Sequence, residues 1–219
     1  MALTKEEINR KLLHIISACC IPAGILYLPE IPGAPEKLPM LIIGVLLALS
    51  IAVELIRFRM PAVQKLFYSV AGTMLRKEED KKLTGSTYIF ASSFLCAIIF
   101  DGQPHISCMV LNLFILGDAA AAIVGISIGR IKIGKKSLEG FLACFILCLI
   151  LFLVVYPHVP LLLDQWKGRV PLPLMIIASL CIAVLELFPL KITRNITLND
   201  NLYVPVVTGL VMMKVYPLF

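Results

Sequence analysis

Long apolar stretches separated by short polar segments dominate this chain. A helix needs about 20 mostly apolar residues to cross a bilayer, and fewer when it is short or tilted. That window gives seven candidate spans, at about 12–28, 39–57, 87–100, 105–126, 138–156, 170–190 and 201–218. The pattern predicts an all-α, polytopic integral membrane helical bundle with about seven transmembrane helices. Without a linker or an internal repeat, residues 1–219 form a single domain.

The longest polar stretch, Arg57 to Ser86, begins with an amphipathic segment. Pro61 suits the first turn of a helix. Apolar residues then recur at helical spacing, namely Val63, Leu66, Phe67, Val70, Met74 and Leu75. A helix of this type lies along the membrane surface. We therefore predict one interfacial amphipathic helix between the second and third spans.

The composition agrees with a membrane protein and gives it an orientation. Hydrophobic residues make up 59% of the chain and the mean hydropathy is +0.94. All but four of the 20 Lys and Arg residues precede the first span or lie in loops on the same side of the predicted bundle. The exceptions are Lys37, Lys167, Arg169 and Lys214. Cytoplasmic loops retain Lys and Arg, so the N-terminus and the basic loops are predicted to be cytoplasmic.

This placement also explains the net charge of +6. Anionic membrane lipids and a phosphate-bearing substrate are the partners expected at a basic membrane face, and nucleic acid is not. The predicted location is a bacterial or archaeal cell membrane or an ER-type membrane.

Asp118 lies near the middle of the fourth span, with no cation within one helical turn in sequence. A carboxylate inside a membrane helix is costly and usually functional. Small residues recur at every fourth position around it, at Gly117, Ala121, Gly125 and Gly129. This stripe indicates close helix packing and also leaves room for a ligand beside Asp118.

A Gly-rich basic loop follows, running from Gly129-Arg130 to Gly134-Lys135-Lys136-Ser137-Leu138-Glu139-Gly140. It is not a nucleotide P-loop, since Lys136 replaces the required Ser or Thr and the loop joins membrane helices. Ser137 can nevertheless cap the next helix, whose free N–H groups bind anions, while Arg130, Lys135 and Lys136 balance polyphosphate charge. Glu139 either favours the helix dipole or holds a metal ion.

The remaining polar residues collect at the same membrane face on this topology. They are Arg10, Lys11 and His14 on span one, Glu54 on span two, Glu186 on span six, and Asp200-Asn201 at the start of span seven. This convergence predicts one cytoplasmic-facing site. Structural alternatives stay open: a snorkelling basic anchor for the first three, an ion pair of Glu54 with Arg57, and a tie from Glu186 to Lys191 or Arg194.

Several segments together resemble the CTP-dependent lipid kinases, that is, the dolichol kinases, phytol kinases and CTP-dependent diacylglycerol kinases. Phosphatidate cytidylyltransferases are more distant relatives of these kinases. The segments are Arg10-Lys11 with His14, Leu83 to Tyr88, Gly117-Asp118 with Ala121 and Gly125, Gly129-Arg130, Lys136 to Gly140, and Asp200-Asn201 before Val204-Pro205. The resemblance extends from residue 10 to about residue 206, and residues 117–140 are its most specific part.

The resemblance implies transfer of the γ-phosphoryl group of CTP to the hydroxyl of a lipid alcohol with Mg²⁺ as the cofactor. Asp118 would bind the metal or activate the hydroxyl. Lys135, Lys136 and Ser137 would hold the triphosphate, and Asn201 would support Asp200.

The predicted site residues have three roles. Asp118, Glu54 and Lys136 are predicted to be catalytic, and Asp118, Glu139 and Asp200 to bind the metal. Those predicted to bind CTP or complete its site are Arg10, Lys11, His14, Gly117, Gly129, Arg130, Lys135, Lys136, Ser137, Glu139, Gly140, Asp200 and Asn201.

Two other functions agree less well with the sequence than a kinase does. A cytidylyltransferase would carry a Pro-Gly-His-Gly-Gly type of signature, which the residues after Asp200-Asn201 do not match. A transporter or channel would line its path with Glu54, Asp118 and Glu186 and would need polar groups at both faces. The outer half offers only scattered groups, namely Asp101, His105, His158 and Asp164. The lipid kinase is therefore favoured, with an isoprenoid alcohol or diacylglycerol as the acceptor.

Overall fold

The computed structural model describes residues 5–72, 77–80, 82–191 and 197–218. The α-helices in these ranges are α1 Lys5–Tyr27, α2 Leu38–Arg59, α3 Pro61–Ala71, α4 Gly85–Ile99, α5 Pro104–Ser127, α6 Leu138–Ile150, α7 Leu172–Leu187 and α8 Asp200–Val215. Two very short strands, β1 Lys132–Ile133 and β2 Lys136–Ser137, form an antiparallel hairpin between α5 and α6. The all-α prediction is confirmed.

Seven of these helices coincide with the seven predicted spans. Four are long and apolar enough to cross a membrane: Leu38–Arg59, Pro104–Ser127, Leu138–His158 and Asp200–Leu218. The third of these is α6 continued by a π-helical turn, Leu151–Val155, and a 3₁₀ turn, Tyr156–His158. Shorter apolar helical segments account for the other three spans, at Ile15–Glu30, Gly85–Ile99 and Leu172–Leu187. The chain is therefore a polytopic helical membrane protein.

The predicted interfacial helix corresponds to α3. It starts at Pro61 and exposes apolar side chains, since Leu66 is 65% and Val70 77% exposed. Exposed apolar side chains on a short amphipathic helix suit a membrane surface. Met74 and Leu75, which extended the predicted pattern, lie outside the described residues.

The core is built around α5. This helix packs against α1, α4, α6, α7 and α8, and its buried residues extend from His105 to Ala121. In contrast, α2 buries only Pro39, Ile43, Glu54 and Arg57 and exposes most of its apolar side chains. A helix that exposes apolar groups and buries charged ones has the pattern expected of a surface that faces lipid.

The small residues of α5 allow α6 to approach closely. A Cβ atom placed on Gly117 would lie 2.8 Å from Cys144 Sγ, and one on Gly125 would lie 2.9 Å from Ser137 Oγ. In the opposite direction, a Cβ on Gly140 would lie 2.6 Å from the carbonyl oxygen of Ala121. The packing role predicted for the small-residue stripe is therefore confirmed.

The connections bring polar groups together at one end of the bundle. The ends of α2, α5 and α7 meet the starts of α4, α6 and α8 there, as shown by hydrogen bonds from Lys136 to Glu186 and from Asn201 to Gly85. We call this the basic end, since it carries Arg57, Arg59, Arg130, Lys132, Lys135 and Lys136.

Candidate active site

Lys136 is the centre of the charged groups at the basic end. Its Nζ atom lies 2.7 Å from Glu186 Oε1 and 3.3 Å from Asp200 Oδ2, and it also donates a hydrogen bond to the backbone carbonyl of Glu186. Thus one ammonium group joins α7 to α8 and to the loop before α6. Among the described residues, Glu186 pairs with Lys136 and not with Lys191, one of the two partners that the sequence suggested. The other suggested partner, Arg194, lies outside the described residues.

The β1–β2 hairpin presents this lysine. Ile133 pairs with Lys136 across a two-residue turn, and Gly134 has a φ of +63° at the first turn position. Glycine adopts that conformation without the steric cost that other residues incur. The basic loop is therefore an ordered hairpin. Its strands have only two residues each, too few to produce a periodic pattern in the sequence.

The electrostatics keep Lys136 charged. Burial would lower the pKa of Lys136, but the charges of Glu186, Asp200 and Asp118, with the hydrogen bond to Glu186, outweigh it and raise the pKa above its ordinary value. Asp118 thus lies close enough to act on Lys136 through its charge. The structure therefore brings Lys136 and Asp200 into contact and places Asp118 within range of the Lys136 charge.

The start of α8 fixes Asp200 and Asn201. Asn199 caps the helix by accepting a hydrogen bond from the Asn201 N–H at 3.0 Å, and Asp200 Oδ1 accepts from the same N–H at 3.1 Å. Asn201 Nδ2 in turn donates to the carbonyl oxygen of Gly85 at 3.1 Å. The side chain of Asn201 therefore links α8 to the start of α4.

Ser137 and Glu139 organise the loop around Lys136. Ser137 caps α6, as predicted, by accepting a hydrogen bond from the Gly140 N–H at 3.2 Å. Glu139 Oε1 accepts from the N–H groups of Arg130 and Ile131 at 2.8 and 3.1 Å. Glu139 is thus bound to the preceding loop, and none of the roles predicted for it, at the helix dipole, at a metal ion or at CTP, includes this contact.

Three glycines predicted to contact CTP lie between helices. Gly117 is covered by Cys144, while Gly129 and Gly140 pack against Ser137 and Ala121 respectively. The space that the small side chains leave is occupied by α6. These glycines therefore contribute to the site by allowing close packing. The space for a ligand that the stripe of small residues suggested is not free, because these neighbouring residues fill it.

Glu54 belongs to a neighbouring buried cluster. Its Oε2 atom pairs with Arg57 Nε at 2.5 Å, and its Oε1 accepts from the N–H of Thr84 at 2.9 Å and the hydroxyl of Thr87 at 3.2 Å. Glu54 is only 2% exposed. The ion pair with Arg57, one of the two interpretations of the sequence, is confirmed.

Of the other predicted cationic residues, Arg130 is exposed just before the hairpin and Lys135 is exposed in its turn. Arg10, Lys11 and His14 lie on α1, and their side chains lie outside what the structure describes.

The carboxylates provide hard oxygen donors for a divalent cation. Among the described residues, no group of three or more His, Cys, Asp or Glu side chains is arranged to hold a metal ion. Mg²⁺ commonly takes one or two protein carboxylates and completes its shell with phosphates and water. Asp200, 3.3 Å from Lys136 Nζ, and Asp118 would be the carboxylates of such a site. Glu139 does not fit as well, because the loop N–H groups already occupy its oxygens.

Sequence reasoning underestimated two residues. Glu186, 4% exposed, is the closest carboxylate to Lys136 Nζ, and Arg57, 1% exposed, is among the largest fully buried side chains of the described residues. The available signal was the same for both: a charged residue near the end of an apolar helix on the basic side.

A cavity with a volume of about 320 Å³ lies at the opposite end of the bundle, lined by residues such as Ile25, Pro39, Phe100 and Ser107. We place the candidate site at the basic end, because the converging charged groups are there.

Sequence comparisons find distant relatives. The chain is 25% identical over 202 residues to an uncharacterized protein of Rickettsia prowazekii (strain Madrid E), covering 91% of this chain and 89% of that protein. It is 31% identical over 166 residues to CTP-dependent diacylglycerol kinase 1 of Eremothecium gossypii, which covers 71% of this chain and 48% of that kinase. The enzyme of the same name from Schizosaccharomyces pombe is 28% identical over 214 residues, covering 94% of this chain and 91% of that kinase.

No family model matches the chain, and no solved structure matches it. The distant homology to CTP-dependent diacylglycerol kinases supports the family resemblance, whereas membership among the polyprenol, dolichol or phytol kinases stays a prediction.

Proposed function

We propose that this protein is a CTP-dependent lipid kinase that transfers the γ-phosphoryl group of CTP to the hydroxyl of a membrane lipid at the cytoplasmic face. The observation that carries the proposal is the Lys136 ammonium group held between Glu186 and Asp200 and under the influence of Asp118, at one end of a helical membrane protein. Homology to CTP-dependent diacylglycerol kinases supports this chemistry. It also favours diacylglycerol over an isoprenoid alcohol as the acceptor.

The reaction needs positioning and compensation of charge more than covalent chemistry. The lipid hydroxyl oxygen forms a bond to the γ-phosphorus while the bond from that phosphorus to the β-phosphate oxygen breaks, and CDP leaves. The hydroxyl proton passes to the carboxylate of Asp118. Lys136 and the exposed Arg130 and Lys135 bind the triphosphate, and the charge of Lys136 persists because its pKa is raised.

Mg²⁺ is part of the proposal. When bound by Asp118 and Asp200, it would neutralise charge on the phosphates. The location also suits the substrates, because CTP arrives from water and a lipid hydroxyl lies at the edge of the bilayer.

The test uses purified full-length protein in lipid vesicles with CTP labelled at either the α or the γ phosphate. We expect γ-label in a lipid monophosphate when diacylglycerol is the acceptor, with polyprenol and phytol as comparison acceptors. Chelation of Mg²⁺ abolishes the transfer, and added Mg²⁺ restores it. Asp118→Asn is nearly inactive, whereas Asp101→Asn, which removes an exposed carboxylate at the opposite end, keeps wild-type activity.

The labels distinguish the reaction classes. Label from the α-phosphate in a CDP-lipid would establish a cytidylyltransferase instead. Flux of ions across the vesicles without nucleotide, abolished by Asp118→Asn, would establish a transporter.

A further inference from the structure

A buried arginine holds residues 77–80 and 82–87 against the end of α2, and we call these described residues the 77–87 segment. Arg57 Nη2 donates to the carbonyl oxygen of Glu79 at 2.9 Å and to that of Lys82 at 2.8 Å. Its partner Glu54 holds the same segment through the Thr84 N–H and the Thr87 hydroxyl. Two charged side chains of α2 therefore make four hydrogen bonds to the short stretch that leads into α4.

The other side of this segment faces the candidate active site. The Gly85 N–H donates to Glu79 Oε1 at 3.0 Å, and the Gly85 carbonyl accepts from Asn201 Nδ2 at 3.1 Å. Asn201 is adjacent in sequence to Asp200, whose Oδ2 atom lies 3.3 Å from Lys136 Nζ. A continuous set of polar contacts thus connects Arg57 to Lys136 through Gly85, Asn201 and Asp200.

Arg57 has no access to a substrate. Its side chain is 0% exposed, and its guanidinium carbon lies 4.4 Å from the centroid of the Phe58 ring and 5.0 Å from that of Phe67. A buried ion pair is often no more stable than an apolar pair of the same size. The other buried residues of α2 are Pro39 and Ile43. A contribution to the stability of the fold is therefore a weak explanation for a buried ion pair on this helix.

We propose that Arg57 and Glu54 are a positioning pair for the active site. They fix the 77–87 segment so that the Gly85 carbonyl orients Asn201, and Asn201 in turn sets the start of α8 with the carboxylate of Asp200 beside Lys136. Glu54 is then a positioning residue and not a catalytic one. The assignment of a catalytic consequence rests on the proposed lipid kinase function.

The first test is Arg57→Lys in the full-length protein in vesicles. Lysine keeps the charge but lacks the planar fork that reaches Glu54 and two carbonyl oxygens together. We expect kcat for γ-phosphoryl transfer to fall about 100-fold, as a misplaced catalytic group implies, with the KM for diacylglycerol unchanged. Arg59→Lys, on the exposed side of the same helical turn, keeps wild-type kinetics.

A second variant tests the same connection with Arg57 intact. A Cβ on Gly85 would lie 2.9 Å from Asn201 Nδ2, so Gly85→Ala displaces the amide and lowers kcat in the same way. Wild-type kcat in both variants would overturn the proposal. So would a loss of activity that only matches the loss of folded protein, because a purely structural role predicts that result.

Hydrogen–deuterium exchange tests the positioning role of Arg57 independently of the proposed kinase activity. We expect Arg57→Lys to raise exchange at Gly85 and at residues 199–203 while leaving the centre of α5 protected. Unchanged exchange at 199–203 would refute the connection even if the enzyme is active. Failure of the wild-type protein to transfer phosphate would refute the kinase assignment and leave the exchange result as an independent test of the connection.

Discussion

Lys136 combines a structural and a chemical role, and substitutions can separate the two. Lys136→Ala leaves the Glu186 carboxylate, which is 4% exposed, without its cation. Breaking such a pair costs several kcal/mol when both partners are buried, and we expect roughly 3 kcal/mol here because the lysine side chain is 29% exposed. The melting temperature of Lys136→Ala should therefore fall, and phosphoryl transfer should be lost.

Adding Glu186→Gln to Lys136→Ala neutralises the more buried of the two carboxylates that lose Lys136, and leaves Asp200, whose side chain is 30% exposed. We expect thermal unfolding to return most of the way to the wild-type temperature while activity stays absent, because the cation for the triphosphate is still missing. A double variant that regained activity with stability would show that Lys136 is structural only. Lys135→Ala is the matched control for stability, because its side chain is exposed on the same hairpin.

The raised pKa of Lys136 gives a prediction for alkaline pH. A group whose pKa is higher in the folded protein contributes stability that is fully present below its unfolded value and is lost as the pH rises through its folded value. The ordinary value is 10.5 and the folded pKa is higher, so the loss falls above pH 10.5. Thermal unfolding between pH 6 and 9 should show no loss of stability from this lysine. A stability step in that range that persists in Glu186→Gln but disappears in Lys136→Ala would contradict the assignment.

Single residues also show what the sequence reveals of the site. Asp118 and Lys136 could be predicted because a carboxylate in an apolar span and a basic loop beside it are locally unusual. The bond from Lys136 to Glu186 joins positions 50 residues apart, and nothing in either segment specifies the other. Arg57 and Glu54 were recognised as an i, i+3 pair, but their hydrogen bonds to the 77–87 segment arise only from the fold.

Between elements, the α5–α6 contact depends on small residues. A Cβ on Gly117 would lie 2.8 Å from Cys144 Sγ, so Gly117→Ala should force the helices apart and destabilise the protein by about 1–3 kcal/mol. Gly24→Ala is the control, since its Cβ would lie 3.7 Å from Leu28 Cδ1, an ordinary contact. Thermal unfolding in detergent measures both. Cys144→Ala should rescue Gly117→Ala, and failure of this rescue would mean that the steric explanation is wrong.

The helices could be predicted because each has its own long apolar run, whereas the short hairpin and the contacts between helices have no such local signal. A membrane span needs a long apolar run, and such runs mark α2 or α5 without any knowledge of neighbours. The β1–β2 hairpin has two residues in each strand, too few for an alternating pattern. The packing of α5 on α6 was readable from the glycine stripe, whereas the filling of the predicted ligand space by Cys144 and Ser137 required the partner helix to be placed.

The orientation of the whole molecule is the remaining prediction. The basic end carries Arg57, Arg130 and Lys135, and because cytoplasmic loops retain such residues we predict that this end faces the cytoplasm. In intact cells, a membrane-impermeant maleimide should label Lys37→Cys at the opposite end and spare Lys135→Cys. Permeabilised cells should label both, which controls for reactivity; each variant is compared with the unsubstituted protein to subtract native cysteines. Labelling of Lys135→Cys in intact cells would place the candidate site outside, away from cytoplasmic CTP, and would contradict the proposed function along with the topology.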